Sequence, residues 1–128
     1  LELKGVSSGE EAEMALRLGF DGIIVSNHGG RQLDAGQSAI RSLEPIAAKF
    51  SNKMTVMMDS GIRSGPDIAR TLASGAHFAF LGRTFMYGVA ALGNEGGDHT
   101  ISILKVQLQQ VMEQICCAHT SAFTKHKI

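Results

Sequence analysis

The chain has 128 residues, of which 44% are hydrophobic and 19% charged, a composition typical of one globular domain, which we take as residues 1–128. Its 12 basic and 12 acidic side chains cancel, so no overall field attracts nucleic acid, and any anion site must be built locally. No apolar run reaches the roughly 20 residues of a membrane span, and no leader pattern opens the chain. We expect a cytoplasmic protein, with attachment to the inner face of the membrane left open.

The first residue is Leu1, not methionine, and a strand-like segment follows it directly. We therefore expect the chain to be part of a longer protein. Cys116 and Cys117 are adjacent, a spacing that rarely forms a disulfide and lacks the two-residue gap of a redox or zinc motif. The histidines outside the motif discussed below show no metal-site spacing, so we predict no metal.

Taken in chain order, the sequence predicts strands alternating with helices. The elements are predicted at Leu1–Val6, Ser8–Gly19, Gly22–Ser26, 38–50, Met54–Met58, Pro66–Ser74, Phe78–Leu81, Thr84–Leu92 and 101–115. Ser8 and Glu11 form a capping box for the first helix, and Pro45 either opens the second helix or kinks it. The strands are continuously apolar, which is typical of a parallel sheet covered on both faces.

A barrel and an open doubly wound sheet both accept this order of elements. No Gly-x-Gly-x-x-Gly follows the first strand to favour a dinucleotide-binding sheet. Polar residues follow every predicted strand, and convergence of all strand ends on one face is typical of a barrel. We therefore predict an α/β fold of parallel βα units that form part of a barrel.

The run Ser26–Asp34 leaves the second predicted strand and carries His28 and Arg31 on either side of two glycines. Glycines permit a sharp turn and a close ligand approach. An imidazole can act as a base near neutral pH, and a guanidinium can grip a carboxylate with two hydrogen bonds. Together they suit a 2-hydroxy acid. The alternative is structural: a histidine that completes a turn and a solvated arginine.

Two further turns predict a phosphate site. The candidate residues are Asp59, Ser60, Gly61, Ile62, Arg63, Gly82 and Arg83. They follow the third and fourth strands, where a helix start and unhindered backbone N–H groups favour an anion. The alternative is an ion pair between Asp59 and Arg63, of roughly 0 to 1 kcal/mol. Lys4 ends the first strand, where its charge needs an anionic partner unless the side chain extends out to solvent.

The nine residues Ser26–Asp34 resemble the active-site signature of the FMN-dependent α-hydroxy acid dehydrogenases, the family of glycolate oxidase, flavocytochrome b2 and bacterial L-lactate dehydrogenase. The resemblance implies a (β/α)8 barrel of which this chain would be strands five to eight. It implies FMN as cofactor and oxidation of an L-2-hydroxy acid, most simply L-lactate. It also implies a homo-oligomer at full length, and leaves open oxygen, a quinone or a cytochrome as terminal electron acceptor.

The resemblance also assigns roles to residues. His28 takes the substrate's proton, from carbon or from oxygen, and Arg31 binds its carboxylate. Lys4 lies against the flavin N1 and C2 carbonyl edge, and Asp59 binds the ribityl hydroxyls. The phosphate contacts come from Arg63 and from Gly82-Arg83, and Ser26, Ser60, Gly61 and Ile62 complete the cofactor site.

Some parts of the family site have no match in this chain. A tyrosine for the substrate carboxylate and an aspartate that orients the histidine come from the N-terminal half of family members, and Tyr87 does not match that tyrosine. The alternative function is therefore a non-catalytic half-barrel that binds FMN or another phosphate. Residues 119–128 are polar and irregular, which predicts a flexible tail or a peptide that docks on a neighbouring subunit.

Overall fold

A computed structural model describes residues 1–126 of the chain. Its strands are β1 (Glu2–Val6), β2 (Gly22–Val25), β3 (Thr55–Met58) and β4 (Phe78–Ala79). Its helices are α1 (Gly9–Arg17), α2 (Ala39–Phe50), α3 (Gly65–Ala73), α4 (Arg83–Leu92) and α5 (Gly96–Gln114). Short 3-10 turns lie at His28–Gly30, Gly93–Glu95 and Thr120–Lys125. The predicted alternation of strands and helices is confirmed.

The four strands form one parallel sheet in the order β1-β2-β3-β4. Each strand therefore lies beside the strand that precedes it in the chain. In a doubly wound sheet the strand order reverses at a switch point, whereas sequential order is that of neighbouring barrel strands. In the register, Lys4, Ile24, Met57 and Phe78 lie side by side across the sheet. A bulge at Gly5 shifts the pairing between Lys4 and Val6.

The main core lies between one face of the sheet and the helices α1 and α2. Ile23, Val25 and Val56 from the strands are fully buried there, together with Leu43 and Phe50 from α2. These side chains bury a large apolar area, and burial of each such side chain stabilises the fold by roughly 1.5 to 3 kcal/mol. The core fixes the strands, so the loops at their carboxyl ends are held at set positions.

Helix ends in this chain follow local sequence signals. The predicted capping box of α1 is present, because the Ser8 hydroxyl accepts from the Glu11 N–H and the Glu11 carboxylate accepts in return from the Ser8 backbone. Ser64 and Asp67 form a second capping box at α3. Pro45 lies inside α2, which runs through it from Ala39 to Phe50, so of the two alternatives for this proline the structure excludes the one in which it opens the helix.

Within residues 1–126, the two edges of the sheet have no pairing strand. Phe78 is 56% exposed, and β1 and β4 each pair with one strand. The strand predicted to reach Leu81 pairs only at Phe78 and Ala79, followed by one further bond from the Phe80 N–H to the Met58 carbonyl.

The expectation of a flexible tail over 119–128 is wrong for the part that the structure describes. Thr120–Lys125 forms a 3-10 turn whose Phe123 is fully buried. Phe123 packs in a second core with Ala69 of α3 and Cys117. The signal that the sequence offered was Phe123 itself, an aromatic residue among polar ones. Burial of one aromatic ring is enough to hold a short segment in place. Residues 127 and 128 lie outside the described residues.

Within residues 1–126, none of the helices combines the length and the apolar character needed to cross a lipid bilayer.

Candidate functional site

The loops that follow the four strands surround one cavity of about 400 Å³. Nearly all the predicted site residues line it, namely Lys4, His28, Arg31, Asp59, Ser60, Gly61, Ile62, Arg63, Gly82 and Arg83. Ser26 is absent from the lining because it is buried beneath it, with 2% of its surface exposed. The predicted convergence of strand ends on one site is therefore what the structure shows for the described residues.

The His28 loop, defined as residues 26–31, turns through an unusual backbone. His28, Gly29 and Gly30 have φ angles of 55°, 71° and 76°, all in the left-handed region that side chains disfavour. The His28 N–H donates to the Ser26 hydroxyl at 3.1 Å, and the Gly30 N–H donates to the Asn27 side chain at 3.2 Å. The turn exposes the His28 side chain at the mouth of the cavity.

Arg31 lies at the end of this loop and is also exposed. Its Nε donates to the His28 carbonyl at 3.2 Å. That single contact anchors the start of the guanidinium, and the hydrogen bonds recorded for the described residues leave its two terminal nitrogens without a protein partner. A planar fork with free donors beside an imidazole is suited to binding a carboxylate next to a group that loses a proton.

Lys4 and Asp59 form an ion pair across the site. The Lys4 ammonium also donates to the Ser26 hydroxyl at 3.2 Å. Lys4 thus meets the anion that its position requires, and the alternative pairing of Asp59 with Arg63 is wrong. Burial acts to raise the pKa of the Asp59 carboxyl, but hydrogen bonds from Lys4, Ser26 and Ser60 outweigh it and hold the pKa below its ordinary value.

Two further arginines, Arg63 and Arg83, line the cavity. The Arg83 Nη2 donates to the Gly29 carbonyl at 3.0 Å, so this side chain joins the loop after β4 to the His28 loop. Arg63 is exposed, and its backbone N–H donates to the Asp67 carboxylate that caps α3. Both guanidinium groups face a cavity next to the N-termini of α3 and α4, which is where the backbone favours an anion.

The backbone around the arginines is open to a ligand. A Cβ placed on Gly61 or Gly82 would meet nothing within 4 Å, so a ligand can approach their backbone groups closely. Ile62 contributes its backbone to the cavity while its side chain, 5% exposed, belongs to the main core. Two cations, open backbone and a neighbouring Lys4–Asp59 pair fit a phosphate with an attached polar chain, as FMN has.

Sequence reasoning missed the apolar wall of the cavity. Phe80, Leu81 and Met86 line it together with the polar residues. Phe80 and Leu81 directly follow β4, and Met86 lies in the first turn of α4, shortly after Gly82-Arg83. These positions were a usable signal, because residues after a strand end face the same region as the polar ones. A flat aromatic cofactor needs such a wall beside its polar contacts.

Among residues 1–126, no group of three or more histidine, cysteine, aspartate or glutamate side chains is placed to hold a metal ion.

Comparison with known proteins agrees with this geometry. Residues 1–128 match the family model described as FMN-dependent dehydrogenase. The chain is 42% identical to L-lactate dehydrogenase of Alcaligenes faecalis over 95% of its length and 32% of the relative's. It is 46% identical to L-lactate dehydrogenase of Xanthobacter autotrophicus over 86% of its length and 28% of the relative's.

A solved structure of mandelate oxidase with benzoyl-formic acid superimposes with a TM-score of 0.91 at 38% identity, covering 95% of this chain and 36% of that one. The chain thus spans about a third of the length of the proteins it matches. The match runs over every residue that builds the cavity. The resemblance carried by Ser26–Asp34 is confirmed, and the chain belongs to the FMN-dependent dehydrogenase family, the FMN-dependent α-hydroxy acid dehydrogenases.

Proposed function

We propose that this chain is part of an enzyme that oxidises an L-2-hydroxy acid, in the first place L-lactate, to the 2-oxo acid with FMN as the immediate electron acceptor. The observation that carries the proposal is the shared cavity. A potential base, His28, and a potential carboxylate grip, Arg31, line the same space as two arginines suited to a phosphate. A substrate and a phosphorylated cofactor held in one cavity of about 400 Å³ would be in contact.

Arg31 binds the substrate carboxylate in this proposal. Its terminal nitrogens can form two parallel hydrogen bonds to the two oxygens, which fixes the direction of the adjoining carbon. His28, three residues earlier and exposed in the same cavity, takes a proton from the hydroxyl-bearing carbon or its oxygen. Oxidation of the alcohol releases two electrons and two protons. His28 would take one proton, and the second would pass with the electrons to bound FMN, so one general base beside the reacting carbon is the minimum that the protein must supply.

FMN would be held by the cavity residues that follow β3 and β4. Arg63 and Arg83 bind its phosphate, with open backbone at Gly61 and Gly82, and the Ser26, Ser60 and Ile62 positions complete the cradle. Lys4 and Asp59 line the same cavity as His28, where a cation favours negative charge that develops on a neighbouring group. When bound, FMN would accept the two electrons that the substrate gives up.

Two named groups of relatives bear on the substrate. The curated relatives are called L-lactate dehydrogenase, and the solved neighbours are called mandelate oxidase. Sequence identity is 39–46% to the first group and 37–38% to the second. We therefore propose L-lactate as the substrate in preference to an aromatic hydroxy acid such as mandelate.

The sheet supports a further part of the proposal, that the chain supplies strands five to eight of a (β/α)8 barrel in a homo-oligomeric enzyme. β1 and β4 have one neighbour each and Phe78 is 56% exposed, which further strands would cover. Residues 1–128 expressed alone should aggregate or associate and show no turnover. A monodisperse monomer by light scattering that oxidises L-lactate unaided would contradict this part.

The function itself is tested by anaerobic mixing with substrates. The complete protein, meaning this chain together with the remainder of the barrel, is loaded with FMN and mixed with L-lactate, D-lactate or L-mandelate. Loss of the visible flavin absorbance with L-lactate, and formation of pyruvate, is the expected result. Bleaching by L-mandelate alone would move the substrate class to aromatic acids. Bound flavin that no hydroxy acid reduces would favour the non-catalytic binding module.

A further inference from the structure

Ser60 lies at the junction of the loops that follow β2 and β3. Its hydroxyl accepts the N–H of Asn27 at 3.3 Å and the N–H of Gly29 at 3.1 Å. The same hydroxyl donates to the Asp59 carboxylate at 2.8 Å. A serine hydroxyl has one hydrogen to donate and two lone pairs that accept. All three positions are filled by the protein, so this side chain has no capacity left for a cofactor or a substrate.

The Ser60 backbone is in an unfavourable conformation. Its φ angle is 80°, in the left-handed region, where a side chain costs about 1 kcal/mol or more and where glycine is free of that penalty. The next residue, Gly61, has the same φ of 80° and is a glycine. A glycine at position 60 would adopt the same φ without this cost. A serine there bears the cost, so the hydrogen bonds of its hydroxyl must offset it.

The two N–H groups that donate to the Ser60 hydroxyl belong to the His28 loop, whose backbone is strained. His28, Gly29 and Gly30 run through three left-handed conformations in succession, and such a backbone persists only where its surroundings hold it. The N–H groups of this turn lack the ladder partners of a strand. The Ser60 hydroxyl accepts the N–H groups of Asn27 and Gly29, and the Ser26 hydroxyl accepts the N–H of His28 between them.

We propose that Ser60 is a positioning residue whose hydroxyl holds the His28 loop against the end of β3 and thereby sets the His28 imidazole over the cavity. It acts through the loop and touches neither substrate nor cofactor with its side chain, while its backbone stays part of the cofactor cradle. The proposal rests on the proposed function insofar as His28 is the base. Through Asp59, the same hydroxyl joins the base to the Lys4–Asp59 pair.

Two variants separate the hydroxyl from the backbone. Ser60→Ala removes the hydroxyl and keeps the left-handed strain, whereas Ser60→Gly removes both. Ser102→Ala is the matched control, because the Ser102 hydroxyl also donates one hydrogen bond, to the Asp98 carbonyl at 2.9 Å, but does so on α5 away from the cavity. Each variant is made in the complete, FMN-loaded protein.

Two quantities are measured in each variant. The first is hydrogen–deuterium exchange of the segment 26–31, which both Ser60 variants should accelerate about tenfold or more, since each loses hydrogen bonds to two amides. The second is the split between kcat and KM for the hydroxy acid. We expect kcat to fall about tenfold with KM changed less than about threefold, because a displaced imidazole slows proton transfer directly, whereas the long, exposed Arg31 side chain can still extend to the carboxylate when the loop shifts. Ser102→Ala should change neither quantity.

Each outcome decides the matter. Faster exchange together with a lower kcat in both Ser60 variants supports the proposal. Unchanged exchange overturns it, and so does faster exchange with an unchanged kcat, which would make the contact merely structural. Full activity in Ser60→Gly with loss in Ser60→Ala would assign the effect to strain and overturn it. If no hydroxy acid reduces the wild-type flavin, the proposed function fails, whereas the exchange rates still show whether Ser60 holds the loop.

Discussion

Gly5 lies directly under the imidazole of His28, and a Cβ placed on Gly5 would stand 2.9 Å from the His28 Nε2. Gly5 forms the bulge in β1, with a φ of 97°. We predict that Gly5→Ala pushes the imidazole aside and slows flavin reduction by about tenfold or more, since small displacements of a base are costly to the rate. Stopped-flow measurement of flavin bleaching checks this prediction.

Gly19→Ala is the control for the backbone effect. Gly19 also has a positive φ, 82°, but a Cβ there would meet nothing within 4 Å. Both variants should lose about 1 kcal/mol or more of unfolding free energy through strain. Only Gly5→Ala should slow reduction. Equal slowing in the two variants would show that strain, and not contact with His28, is responsible.

Arg31→Lys should raise the KM for the hydroxy acid about tenfold or more. An ammonium cannot reproduce the two parallel hydrogen bonds of the guanidinium, and each charge-assisted bond contributes roughly 1.5 to 3 kcal/mol. The FMN content of the purified protein should not change. Arg41→Lys, at an exposed position on α2, provides the control. An unaltered KM and unaltered binding of a carboxylate inhibitor would make Arg31 structural.

Replacing both Arg63 and Arg83 by glutamine should yield apoprotein on purification. Both guanidinium groups line the cavity beside helix N-termini, and a phosphate bound there would lose its two cations. Arg63→Gln alone should weaken FMN binding without altering the His28 loop, because Arg83 is the arginine that bonds Gly29. The flavin-to-protein absorbance ratio measures retention. Wild-type retention in the double variant would place the phosphate elsewhere.

Protonation of Asp59 in acid should lower the free energy of unfolding. Its pKa is lower in the folded chain than its ordinary value of 3.8, because the hydrogen bonds from Lys4, Ser26 and Ser60 outweigh burial. The stability that it contributes is therefore complete above pH ~4 and is lost as pH falls through the folded-state pKa. Urea unfolding between pH ~6 and ~2 should show a shallower acid decline in Asp59→Asn than in wild type. Identical slopes would refute the linkage, and Asp98→Asn is the surface control.

Much of the fold could be predicted from the sequence because its signals are local. Capping residues such as Ser8 and Ser64 mark helix starts, and short apolar runs mark the strands. The set of residues around the cavity could also be predicted, since parallel strands present their carboxyl ends on one side. The nine-residue run at Ser26–Asp34 then identified the family.

The pairing of residues within the site could not be predicted in the same way. Lys4 and Asp59 are 55 residues apart, and strand spacing alone left Asp59 free to pair with Arg63. The contact of Gly5 with His28 depends on the bulge in β1 and on a left-handed turn at once. Phe123 was missed because one buried ring in a polar segment has no periodic pattern. These features are set by packing between distant segments.

The most direct test of the central claim compares wild type with His28→Gln in the complete, FMN-loaded protein. Both are mixed with L-lactate without oxygen, and the visible absorbance of the bound flavin is followed. We predict that wild type bleaches and forms pyruvate, whereas His28→Gln keeps its FMN and bleaches about 10²- to 10⁴-fold more slowly, because the base is removed and the phosphate site is untouched. Bleaching of His28→Gln at the wild-type rate would contradict the account.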